Sequence, residues 1–284
     1  MDKDTKMITI AVPSLRNKKI DLSNQTYKDF EVIVDGDGSI VEVMNRAIKN
    51  AKGNIIVRTD DDCVFPPHWL EEIDKTFKDN PDCAIVTGPT IIPKELLKNR
   101  DVFNFRKFRW PLKQLYYFFM DGNPYRIGRL YSSGCFSLGS NFIHSLQGET
   151  RPVDFAEACN HAFRKDIILD RQVMGFDEKF DGLCEYYEND AFLRLKEGGW
   201  KIYYNPKAYV EHHIKEATGN RTRIWGRNKN FIRFCFRRVN ISYKFFLYLI
   251  FINLYFLYKM LLFVHTRLGH WIFCKLSHQY KEDK

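Results

Sequence analysis

The sequence predicts an α/β fold with a mainly parallel, doubly wound central sheet. Three observations carry the prediction. Short apolar, β-branched runs alternate with segments of helical periodicity, the order that lays helices over a parallel sheet. Two of those runs end in aspartates, at Asp35 and at Asp60-Asp61-Asp62, and in open α/β sheets ligands bind beyond the carboxyl ends of the strands. The length of 284 residues suits one large domain, alone or with an appendage.

The first run, Ile8-Thr-Ile-Ala-Val-Pro13, is stopped by proline and reads as a buried strand. Phe30-Glu-Val-Ile-Val34 is the second and leads into Asp35-Gly-Asp-Gly-Ser39. Glycines there let a backbone approach a ligand closely, although Asp-Gly-Asp-Gly taken alone is a plain turn. Val41, Val43, Met44, Ala47 and Ile48 have helical spacing. Asn54 to Thr59 is the third strand and delivers Asp60, Asp61 and Asp62 to its end. Hard divalent cations take oxygen ligands, and Mg²⁺ uses one or two carboxylates with substrate phosphates. The triplet therefore reads as a metal site that receives a diphosphate, against the plainer reading of a solvated acidic turn. A helix over His68–Phe77 and a strand over Cys83–Thr87 follow.

Residues 95–150 are less regular, with an aromatic, helical stretch from Trp110 to Met120 and then a Gly- and Ser-rich segment. A long insertion of this kind is either functional or a structural flap. Residues 153–168 read as leading into a helix, Gly175–Phe180 as a turn, and Tyr186–Gly198 as a helix with Glu188 and Asp190 at its start. Acids in a first turn are either simple dipole partners or, functionally, a general base. Strands around Pro206 lead to His212 and His213.

Seven cysteines are scattered singly with no C-x-x-C pair. That argues against a disulfide framework and a structural zinc site, and it fits a reducing cytosol. The chain opens with charged MDKDTKM, so no secretory signal is read there. The net charge of +9 is uneven: residues 221–284 hold 13 Lys or Arg against two acids, leaving the rest slightly negative.

In order and spacing, these blocks resemble the family 2 glycosyltransferases, with their nucleotide-diphosphosugar-binding GT-A fold. The resemblance spans about residues 7–238. It is carried by Ile8–Pro13; by Gln25-Thr-Tyr-Lys-Asp-Phe-Glu-Val-Ile-Val-Asp35 with Gly38-Ser39; by Thr59-Asp-Asp-Asp62, similar to the family's D-x-D; by Gly175-Phe-Asp-Glu-Lys-Phe180; by Tyr187-Glu-Asn-Asp190; and by Val210-Glu-His212. The resemblance implies that Pro13 and Asp35 line the nucleobase pocket, with Asp35 or Asp37 on the base edge. It implies that Asp60 and Asp62 are the D-x-D acids, Asp60 in the nucleotide-sugar site and Asp62 facing a divalent metal, Mn²⁺ or Mg²⁺; Asp61 is placed in the nucleotide-sugar site too, and, pointing the other way along an extended backbone, it reads as the structural member of the triplet. It places His212 near that metal, with His213 the alternative register. Glu188 takes the position of the general base, and Asp190 that of a following acid that is usually structural; the two form the candidate catalytic pair.

The sequence departs from the family in four places. The segment between Pro13 and Gln25 is short, Gly36 interrupts the usual Asp-Asp-Gly-Ser, Arg58 stands where an apolar residue is common, and Glu188 replaces the usual Asp. Arg58 either reaches a phosphate or pairs with a neighbouring acid. No Gln-x-x-Arg-Trp is present, which disfavours processive synthesis. The implied reaction is inverting transfer of one sugar from a UDP-sugar or related donor to a hydroxyl of a glycan or lipid-linked acceptor. The alternative is a non-catalytic sugar-nucleotide- or glycan-binding protein that kept the fold.

Residues 1–220 are expected to form the GT-A domain, with the nucleotide-sugar part in about 1–94 and the acceptor part in 95–220, and 221–284 a basic, aromatic, apolar helical tail. Within the tail, 245–264 carry one charge, Lys259, over 20 residues, about the span of a bilayer core. Basic residues flank it on both sides, so it either spans, lies in the plane of an anionic surface or packs on the catalytic domain. The uninterrupted apolar run favours a membrane over nucleic acid as the partner of the basic residues. The expected location is the cytoplasmic face of a membrane.

Overall fold

The computed structural model describes residues 7–15, 17–99, 110–170, 174–180, 186–214, 222–255, 257, 258 and 261, without the side chains of 98, 99 and 222–227. The chain divides into two compact units, Met1–Asn240 and Ile241–Lys284. The expected boundary at 220 would have cut before the helix Thr222–Arg238, which lies in the first unit.

The first unit is built on a seven-stranded sheet of order β2-β1-β3-β8-β5-β9-β7. Its strands are β1 (Ile8–Pro13), β2 (Phe30–Asp35), β3 (Ile55–Thr59), β5 (Cys83–Thr87), β7 (Arg151–Val153), β8 (Asn160–Arg164) and β9 (Lys201–Tyr204). β1, β2, β3, β5 and β9 run in one direction, and β7 and β8 run against it. The register pairs Pro13 with Asp35, Ala11 with Arg58 and Thr59 with Asn160. One edge of the sheet thus gathers the carboxyl ends of the parallel strands and the start of β8. The central strands β3 and β5 are buried throughout, as their β-branched and apolar residues require, with Arg58 the charged exception in β3.

A second, three-stranded sheet has the order β4-β10-β6, with β4 (Cys63–Val64), β6 (Thr90–Ile91) and β10 (Val210–His212). It sits beyond the same edge, because Asp60–Asp62 connect β3 directly to β4. Gly88, between β5 and β6, makes the approach possible: a Cβ there would lie 2.0 Å from the Ala208 carbonyl oxygen, so no other residue lets this backbone pass.

The helices Ile40–Asn50 and Trp69–Asp79 lie where helical spacing places them. The first is closed by a capping box between Ser39 and Glu42, which satisfies two backbone donors at once. The second has no cap from His68; Gln25 serves instead, its Oε1 accepting from the Leu70 amide at 3.2 Å while its Nε2 donates to the Pro66 carbonyl at 2.7 Å. Apolar faces of both helices, including Val43, Met44, Trp69, Leu70 and Ile73, are buried.

Two expectations need correction. Residues 153–168 hold strand β8 and only a one-turn helix, Lys165–Ile168. The strand pattern was hidden by Asn160 and His161, which are polar yet buried. Asn160 is satisfied inside the core: its Oδ1 accepts from Trp69 Nε1 at 2.9 Å, and its Nδ2 donates to the Pro89 and Ala208 carbonyls at 2.9 and 2.8 Å. The second correction concerns 222–238, expected in the tail, which is a helix of the first unit. Phe231, Phe234 and Cys235 are buried, Phe234 packs 5.5 Å from Phe136 and 5.4 Å from Tyr186, and Arg238 reaches Asp190 and Glu197 at 3.0 and 2.7 Å.

In the second unit, residues 243–255 are helical, and Phe246, Leu247, Ile250, Leu254, Leu257 and Leu261 are exposed. Their spacing places them along one face. Among the described residues, no helix is long and apolar enough to cross a membrane; Lys259 and 262–264 lie outside the described residues.

Candidate active site

The site is assembled at the edge where the two sheets meet. Successive side chains of a strand alternate in direction, so Arg58 and Asp60 point the same way at the end of β3. Arg58 is buried, and its guanidinium lies 2.8 Å from Asp60 Oδ1 and 3.8 Å from Glu188 Oε1. It also donates to the Ala158 carbonyl. The sequence left open whether Arg58 reaches a phosphate or an acid; here it pairs with two acids.

β10 brings His212 opposite Cys63 in antiparallel register. His212 is buried, with Nε2 3.1 Å from Asp62 Oδ1 and 3.6 Å from Asp60 Oδ2. His213 points away and is exposed beside Glu211, so His212 is the histidine that faces the aspartates. One donor atom each from Asp60, Asp62 and His212 lies within 4.8 Å of the others. Two carboxylate oxygens and an imidazole nitrogen form a donor set suited to Mn²⁺ or Mg²⁺. Burial alone would push the His212 pKa down, but Cys159, Asp62 and Asp60 outweigh it and raise it to about 10.

Asp61 turns away from this cluster. It accepts from the Ser14 hydroxyl at 2.6 Å, and its carbonyl accepts from Lys18 Nζ at 2.8 Å. It ties the loop after β1 to the triplet. Pro13 and Asp35 stand side by side at the ends of β1 and β2. Asp35 is engaged by Arg46 at 2.8 Å and by the Asp37 amide at 3.0 Å; despite its burial, those bonds hold its carboxyl below the usual range. Asp37 is exposed, and its carbonyl accepts from Arg46.

The helix Tyr187–Glu197 starts from Tyr186, which has φ of 89°. A left-handed tyrosine costs roughly 1–3 kcal/mol, a strain that clusters at functional sites. It is held by the Phe136, Phe231 and Phe234 rings. Glu188, only 2% exposed, projects toward Arg58. Burial raises its pKa to about 7, with Arg58 restraining the rise. Asp190 is also buried but faces elsewhere, 3.0 Å from Arg238 Nε and 3.3 Å from Arg194 Nε. Glu188 is thus joined to the aspartate cluster through Arg58, whereas Asp190 fastens the helix Thr222–Arg238.

Sequence reasoning passed over Cys159, whose Sγ lies 3.3 Å from His212 Nδ1, and His161, buried and with its pKa pushed down to about 3 by burial and by Arg58. A polar pair inside an otherwise apolar strand was the one available signal for β8.

Comparison with known proteins agrees with this geometry. The family model described as Glycosyl transferase family 2 matches residues 40–145. A glucosyl-dolichyl phosphate glucuronosyltransferase of Haloferax volcanii is 24% identical over 208 residues, covering 66% of this chain and 56% of that relative, so the chain spans little more than half the relative's length. The crystal structure of GalNAc-T7 with UDP, GalNAc and Mn²⁺ superposes with a TM-score of 0.52 at 9% identity, over 82% of this chain and 48% of that one. A mannosyltransferase from Pyrobaculum calidifontis in complex with GDP-Man and Mn²⁺ superposes with a TM-score of 0.50 at 13% identity, over 84% and 67%. These two likenesses show the GT-A fold. With the motifs in their expected order along that fold, these matches support reading the chain as a family 2 glycosyltransferase.

Proposed function

We propose that this chain transfers a single sugar, with inversion, from a UDP-sugar to a hydroxyl of a glycan or lipid-linked acceptor. The observation that carries the reading is the convergence of Asp60, Asp62 and His212 beside a buried Glu188. The Haloferax relative, a glucosyl-dolichyl phosphate glucuronosyltransferase, supports an acceptor on a lipid carrier, and the neighbours' bound UDP, GDP-Man and Mn²⁺ support a metal-assisted nucleotide-sugar donor.

Asp60, Asp62 and His212 would hold the divalent ion, which when bound stabilises charge on the departing diphosphate. Pro13 and Asp35 border the nucleobase, with Arg46 fixing the Asp35 carboxylate. Glu188 accepts the proton of the acceptor hydroxyl, a poor nucleophile until a base is at hand. A pKa near 7 suits that task, since a base poised near the working pH is both free and strong enough. Arg58 keeps Glu188 in its charged form and directs it toward the cluster. Asp190 has a structural role through Arg238 and Arg194. The apolar face of the second unit rests on the cytoplasmic surface of a membrane, where a lipid-linked acceptor is met.

A panel of nucleotide sugars tested for metal-dependent hydrolysis and transfer checks the reading. One donor is expected to be turned over by the wild type. Glu188→Gln is expected to lose at least 100-fold in transfer, the scale of a general base. No turnover of any donor, or full activity in Glu188→Gln, would count against it.

A further inference from the structure

His212 belongs to two clusters. Its Nε2 faces Asp60 and Asp62, while its Nδ1 faces Cys159, with Cys63 alongside; Cys63, Cys159 and His212 are all buried, and their donor atoms lie within 4.8 Å of one another. The backbone builds this second cluster: Cys63 opens β4 opposite His212 in β10, and Cys159 immediately precedes β8. The thiols have no part in the mechanism above.

An imidazole offers a lone pair at Nε2 only when its proton sits on Nδ1, and a group that accepts from Nδ1–H fixes both the tautomer and the ring orientation. Cys159 Sγ, 3.3 Å from Nδ1, is placed to accept that bond. It can do so if its own proton is directed elsewhere, and the Cys63 Sγ lies within 4.8 Å. We propose that Cys159, backed by Cys63, is a positioning residue that holds His212 with Nδ1 protonated and Nε2 directed at Asp60 and Asp62, and so sets the affinity of that site for a divalent cation. A thiol is a weaker acceptor than the carboxylate often found in this position. The inference rests on reading Asp60, Asp62 and His212 as the cation site.

The test is Mn²⁺ affinity of the full chain, read from the electron paramagnetic resonance signal of free Mn²⁺, together with the metal content of the purified protein. Cys159→Ala and Cys159→Val are expected to bind Mn²⁺ 10–100-fold more weakly, the usual effect of losing such a partner. Val fills the thiol's volume without accepting a bond, so a loss shared by both variants is not the effect of a cavity. Cys159→Ser keeps an acceptor and is expected to restore most of the affinity. Wild-type affinity in both Ala and Val variants would overturn the inference while leaving the cation site standing. Zinc held stoichiometrically and released by removing either thiol would also overturn it, by showing the thiols to be ligands. A wild type that binds no Mn²⁺ would overturn the cation-site reading, and this inference with it.

Discussion

Arg58 lies between the acid assigned to the nucleotide and the acid assigned to the acceptor. Its cation is buried and pairs with both Asp60 and Glu188, so it opposes the rise that burial imposes on the Glu188 pKa. Glu188 titrates near 7 because burial disfavours its charge, and Arg58 opposes that effect. A general base works deprotonated, so kcat/KM is expected to rise with pH through about 7 and level off above it. Arg58→Met removes the cation that lowers the pKa. The inflection is then expected to move to higher pH by roughly 1 unit or more, with activity lost most severely below pH 7. A pH–rate profile of the two proteins checks this; an unmoved inflection would separate Arg58 from Glu188. At this scale, Asp60 and Asp62 were legible in the sequence because a β-branched run ends on them. The choice of His212 over His213 was not, since it depends on which of two adjacent side chains a cross-strand pairing turns inward. Cys159 had no local signal, because its partner His212 is 53 residues away.

At the scale of elements, the helix Tyr187–Glu197 carries two acids with separate tasks. Glu188 faces the site, and Asp190 is 1% exposed between Arg238 and Arg194. Asp190→Ala would remove the buried acid that Arg194 and Arg238 share, leaving Arg238 to Glu197. It is expected to destabilise the first unit by on the order of 3 kcal/mol, seen as a melting temperature several degrees lower, with nucleotide binding intact at low temperature. A loss of transfer with unchanged stability would instead assign Asp190 to catalysis. The elements legible in the sequence were those with strong periodicity: β1, β2, β3, β5 and the helices Ile40–Asn50 and Trp69–Asp79. β8 was masked because Asn160 and His161 are satisfied by tertiary hydrogen bonds that no local pattern announces. β4 and β6 are two residues long, too short for alternation to show, although they flank β10, the strand expected before His212, which brings that residue to Asp62.

For the whole molecule, the first unit closes with the helix Thr222–Arg238, so several bases that composition alone would offer to a membrane or a nucleic acid are spent inside the protein, Arg237 and Arg238 on Asp177, Asp190 and Glu197. The apolar face of the second unit, from Phe246 to Leu261, is the remaining candidate for a lipid surface. A chain ending at Asn240 is expected to shift from the membrane fraction to the soluble fraction, while full-length protein stays with membranes; an identical distribution would remove the membrane from the account.

The central claim is that Asp60, Asp62 and His212 hold a divalent ion for a nucleotide diphosphate while Glu188 serves the acceptor. Calorimetry of UDP binding with and without Mn²⁺ tests it most directly, on the wild type, Asp62→Ala and Glu188→Gln. The account predicts Mn²⁺-dependent binding in the wild type, retained in Glu188→Gln and lost in Asp62→Ala. UDP binding that ignores Mn²⁺ and survives Asp62→Ala would contradict it.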